Sequence, residues 1–141
     1  MSTSVVSQKI QEMRESVTDL SAAETETING STLEVNDVVR QGDIYLTCLE
    51  SMPEGGKPSL DMQLAPGTTQ GSRHILVGKV ELFTGVSMNG VDAVLTGPAF
   101  KCETATKVTH PEHGDKILPA GSLWQVTYQQ AYADQVRRVQ D

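Results

Sequence analysis

Three histidines are the residues whose type and spacing suit chemistry in this chain, and two of them share one short turn. In HPEHG, His110 and His113 flank Pro111 and Glu112. Pro111 fits the second position of a tight turn, and Gly114 accepts an unusual dihedral. The ends of such a turn approach within about 7 Å, so both imidazoles can face one ion. Glu112 adds a carboxylate, and His74, in GSRH at a strand start, is a third candidate ligand. Imidazoles with a carboxylate suit zinc or a similar divalent metal. The spacing is weakly specific, however. A hairpin turn with solvated or capping histidines accounts for the same residues and is the preferred reading.

Other catalytic constellations are missing or generic. The chain has no GxSxG, no phosphate-binding loop and no GxGxxG. Asp43 follows Gly42 in QGD, which reads as a loop entering a strand rather than an acid catalyst. Cys48 and Cys102 are the only cysteines, and neither belongs to a CxxC pair, so a zinc knuckle is excluded. Both sit in strand-like apolar patterns, where buried thiols are expected rather than a disulfide. An enzyme is therefore not the leading expectation. A metal-binding β-barrel using His74, His110 and His113 is kept as the alternative.

The elements that must position these residues read as strands from Val38 onward. In DIYLTCL, Ile44, Leu46 and Cys48 alternate with Tyr45, Thr47 and Leu49. A loop, MPEGGKPS, follows. HILVGKVELF puts Leu76, Val80 and Leu82 on one face, with Lys79 and Glu81 on the other. FKCETATKV places Phe100, Cys102, Thr104, Thr106 and Val108 inward, and LWQVTYQQ aligns Trp124, Val126 and Tyr128. Turn signals separate the runs: PGTTQG, MNG, TGP, HPEHGD and LPAG. Strands at this spacing, with no helices between them, predict an all-β sandwich or small barrel. The tail AYADQVRRVQD is short and polar; its Arg137 and Arg138 make a patch too small for nucleic acid.

Composition changes near residue 38. Residues 1–37 lack proline and aromatics and hold seven acidic residues against Lys9 and Arg14, a net charge of -5 out of -7 for the whole chain. This predicts an acidic N-terminal arm, 1–37, attached to a β domain, 38–141. Within the arm, Val6, Ile10, Met13, Val17 and Leu20 are spaced 4, 3, 4, 3, the seam of two heptads. A helix that short is marginal alone in water. Its stripe must dock, either on its own sheet or on a partner. The following SAAETETINGST reads as an extended or disordered linker.

Charge and hydropathy narrow the partners. A pI near 4.9 repels phosphate backbones, so nucleic acid is not expected. No apolar run reaches membrane-spanning length, and Lys9, Glu12, Arg14 and Glu15 interrupt any leader-like core, so a soluble, cytosolically made chain is expected. A protein partner with basic surfaces fits better.

The series QGD (41–43), GSRH (71–74), HPEHG (110–114), LPAG (118–121), QQAY (129–132) and RRVQD (137–141) resembles a group of small β-domain proteins of bacteria and their phages. The resemblance spans roughly residues 40–141 and implies a compact β fold without a settled activity. The GSRH position of that group often carries a second histidine where this chain has Ser72. In architecture, a β domain with a long N-terminal arm is also similar to the cement, or decoration, proteins of tailed-phage capsids. That resemblance implies a non-enzymatic protein on the virion surface, a monomer or small homo-oligomer when free, bridging a major-capsid lattice.

Overall fold

The computed structural model describes residues 24–88 and 90–129. Ten strands run through them: β1 (Glu26–Thr27), β2 (Val38–Gln41), β3 (Ile44–Leu49), β4 (Lys57–Ser59), β5 (Ile75–Val77), β6 (Val80–Thr84), β7 (Thr96–Cys102), β8 (Thr106–Thr109), β9 (Lys116–Leu118) and β10 (Leu123–Tyr128). They form a four-stranded sheet, β1-β9-β8-β5, and a six-stranded sheet, β2-β3-β10-β7-β6-β4. The architecture is an all-β sandwich.

Period-2 patterning builds its core. Ile44, Leu46 and Cys48 of β3, Trp124 and Val126 of β10, and Phe100 and Cys102 of β7 are buried on the inner face of the larger sheet. Leu76, Val108 and Leu118, one from each of β5, β8 and β9, join the same cluster from the smaller sheet. Burying each such side chain contributes roughly 1.5–3 kcal/mol.

Two runs that read as single strands are bent between the sheets. HILVGKVELF breaks at Gly78 into β5 and β6, and FKCETATKV breaks at 103–105 into β7 and β8. β5 pairs with β8 and β6 with β7, so the two runs form one long ribbon folded across both sheets. The corners hold each other: the Glu103 N–H donates to the Lys79 carbonyl at 2.9 Å. A Cβ on Gly78 would press on Thr106 Oγ1 at 2.8 Å, so the corner needs glycine. The bend turns Thr104 out to solvent, whereas unbroken alternation put it inward.

Two further expectations are corrected. The loop MPEGGKPS contains β4, an edge strand that tolerates Pro58 because it pairs on one side only. The stretch SAAETETINGST contributes β1, which runs parallel to β9. Ile28 follows it, 4% exposed and packed into the core. The sandwich thus takes in residues 24–37 of the arm drawn from composition. The stripe Val6, Ile10, Met13, Val17 and Leu20 lies outside the described residues, as does the tail from Gln130.

Candidate functional site

QGD, GSRH and HPEHG meet at one end of the sandwich. Gln41 closes β2 and Ile44 opens β3, leaving Gly42 and Asp43 as a two-residue hairpin turn. Gly42 holds φ +58°, the left-handed first position that such turns demand. It also leaves room for His113, because a Cβ there would lie 2.6 Å from the imidazole Cδ2.

His74 enters from a 3-10 turn (Gln70–Ser72) that runs into β5, and its side chain is fully buried. Its Nδ1 lies 2.8 Å from Gln41 Oε1, and its Nε2 lies 2.9 Å from Asp43 Oδ1. Gln41 fixes the direction of the first bond. Its Nε2 donates to the Val108 carbonyl at 2.9 Å and the Gly114 carbonyl at 3.0 Å, so Oε1 must accept and His74 Nδ1 must donate.

His110 sits against His74, with ring centroids 4.4 Å apart. Its Nδ1 accepts the N–H groups of Glu112 at 3.0 Å and His113 at 3.2 Å, closing the HPEHG turn. With Nδ1 accepting, Nε2 carries the proton and donates to the Gly71 carbonyl at 3.1 Å. His113 is the exposed member, its ring centroid 4.6 Å from that of His110.

The His74 pKa is lowered to about 4, with burial as the largest cause. The Asp43 hydrogen bond and charge raise it, while His110 and His113 lower it further. A proton on the Nε2–Oδ1 contact is what burial resists and Asp43 favours. His113 is also lowered, first by desolvation and then by His110, with Glu112 and Asp43 pulling upward.

The predicted ligands His74, His110 and His113 therefore converge on one cluster. Both nitrogens of His110 are committed to backbone groups, while at His74 Nδ1 donates to Gln41 and Nε2 lies 2.9 Å from Asp43 Oδ1. Glu112 is exposed. Among the described residues, no group of three His, Cys, Asp or Glu is placed to hold an ion. The arrangement acts as a clasp, tying the β2–β3 hairpin, the turn before β5 and the β8–β9 turn into one hydrogen-bonded unit.

Sequence reasoning passed over Gln41 and gave Asp43 no partner. The available signal was parity: Gln41 sits two residues beyond Val39, on the inward face of β2. A glutamine at a core position implies a buried partner.

A family model described as Domain of unknown function (DUF8820) matches residues 40–129. The chain belongs to this family. The DUF8820 match opens one residue before Gln41 and closes on Gln129, whose N–H donates to the Asp43 carbonyl at 3.2 Å. The family segment thus starts and ends at the clasp, while β1 lies before it. No curated protein and no solved structure matches the chain.

Proposed function

We propose that this DUF8820 protein is a non-enzymatic binding module, most concretely a cement protein of the tailed-phage kind. In this reading it sits on a virion surface and engages a major-capsid lattice through its acidic arm and its sandwich. The observation that carries the reading is how the three motifs use their polar groups. His74 and His110, which sequence alone offers to a metal or a substrate, are held by Gln41, Asp43 and turn backbone groups instead, so they stiffen the scaffold.

A rigid scaffold with a charged arm suits repeated attachment to identical sites. The segment that follows residues 1–23 is fixed where β1 lies on β9. The net charge of -5 over residues 1–37, four of whose seven acidic residues lie in the sandwich, favours a basic groove on the partner. Nucleic acid and membrane are disfavoured as partners by the same charge and by the lack of a long apolar run.

Co-sedimentation with assembled phage shells tests this directly. The full chain is expected to pellet with the shells to a saturable, stoichiometric limit, and a chain lacking residues 1–23 to stay in the supernatant. Equal pelleting of the truncated chain removes the arm's role. A full chain that never pellets removes the cement reading.

A further inference from the structure

The clasp does more than join three loops, because the turn it closes is also the seat of β1. Gly114 ends HPEHG and lies against the backbone of Glu24, so that a Cβ on Gly114 would overlap the Glu24 carbonyl. The next residue, Asp115, accepts the Glu26 N–H at 2.8 Å. One residue further, Lys116 Nζ pairs with Glu26 Oε1 at 2.8 Å. The Ile28 N–H then donates to the Ile117 carbonyl at 2.8 Å. These contacts are made by Gly114, the last residue of the turn held by His110 Nδ1 and by the Gln41 bond to the Gly114 carbonyl, and by the three residues that directly follow it.

We infer that the clasp of Gln41, His74 and His110 latches β1 onto β9, and that residues 24–28 form a releasable strap at the root of the arm. β1 is well suited to independent release. It pairs over two residues, on one side only and in parallel. β10, by contrast, pairs along all six of its residues with β3 and also with β7. Short edge strands with few bonds open locally while the rest of a fold stays closed.

The consequence rests on the arm-binding reading above. Freeing residues 24–28 adds about 17 Å of extended chain to the arm and uncovers the β9 edge. The latch thus sets how far the arm reaches from the sandwich. Gly114 and His110 are positioning residues in this scheme, since neither has to touch the partner.

Amide hydrogen exchange of the full chain tests the latch without any partner, so its outcome is separate from that of the binding reading. Relative to the native chain, His110→Ala should speed exchange at the Glu26 and Ile28 amides roughly tenfold or more, the scale of one or two net hydrogen bonds lost. The slowest amides of β3 and β10 should hold their rates. His110→Asn should keep Glu26 and Ile28 protected, because an asparagine side-chain oxygen accepts the same two turn N–H groups. Gly114→Ala should release the same two amides by displacing Glu24, and it carries the test alone if His110→Ala does not fold. Unchanged exchange at Glu26 and Ile28 overturns the latch. So does an equal acceleration throughout β3 and β10, since β1 would then open only with the whole fold.

Discussion

Gln41, at the end of β2, and His74, just before β5, fix each other's orientation. Gln41 is 1% exposed, its Oε1 accepts from His74 Nδ1 at 2.8 Å, and its Nε2 bridges the carbonyls of Val108 and Gly114. Replacing it with leucine keeps the volume and leaves a buried imidazole N–H and two carbonyls short of a partner. Each such group costs about 1–3 kcal/mol, so Gln41→Leu is expected to destabilise the fold by roughly 2–4 kcal/mol, partial relaxation included. Urea unfolding reads this as a lower midpoint at unchanged slope. A loss under about 0.5 kcal/mol would show that the clasp holds nothing together.

Acid should weaken the fold through the same cluster. His74 and His113 are both held below the ordinary histidine value of 6.5, His74 at about 4. An unfolded chain takes up these protons near pH 6.5, before the fold does. The unfolded state therefore binds more protons below that pH, so stability is complete above it and falls as pH drops toward 4. His113 is exposed and contributes the smaller part. Urea midpoints at pH 7.5, 6 and 5 should decline in that order, and the decline should shrink in His74→Gln. A midpoint that rises on acidification would mean that Asp43 outweighs burial at His74.

Zinc is expected to leave the thermal midpoint unchanged. Binding would require His110 to give up a hydrogen bond inside the clasp, or buried His74 to part from Asp43, at a cost comparable to the gain. A chelator-reversible rise of several degrees, lost when His110 and His113 are both replaced by alanine, would contradict this. It would also revive the metal-binding alternative.

Much of the fold is legible in the sequence because local alternation carries it. Ile44, Leu46 and Cys48, or Trp124 and Val126, declare their faces within a few residues. What stays hidden depends on distant partners. β1 owes its place to β9, some ninety residues on, and only the single apolar Ile28 hints at it. The corner at 103–105 is masked because the alternation of Phe100 and Cys102 resumes in phase at Thr106 and Val108. The three histidines were recognisable as a group, yet their role was not. That role is set by Gln41 and by backbone groups at Gly71, Val108 and Gly114, which carry no chemical signature in a sequence.

Cys48 and Cys102 should be inert in the native state. They lie on β3 and β7 with β10 between them, so their strands are about 9–10 Å apart, beyond disulfide reach. Burial raises both thiols; Asp37 adds to the effect at Cys48, and Ser122 and Thr106 oppose it at Cys102. An aromatic disulfide reagent should therefore find two thiols in denaturant and essentially none in buffer. Prompt reaction of either thiol in buffer would contradict the packing of the sandwich core.

Gly42 offers the most local test of the site. Alanine there must adopt φ +58° and must also push His113 aside. The dihedral alone costs about 1 kcal/mol, and the exposed imidazole can swing away, so the total should stay near 1–2 kcal/mol rather than abolish folding. The diagnostic is selectivity. In Gly42→Ala the ring resonances of His113 should move strongly, while those of His74, anchored by Gln41 and Asp43, should barely shift. Equal movement of both rings would mean that the hairpin turn as a whole had given way, and that Gly42 supports the clasp rather than merely making room for His113.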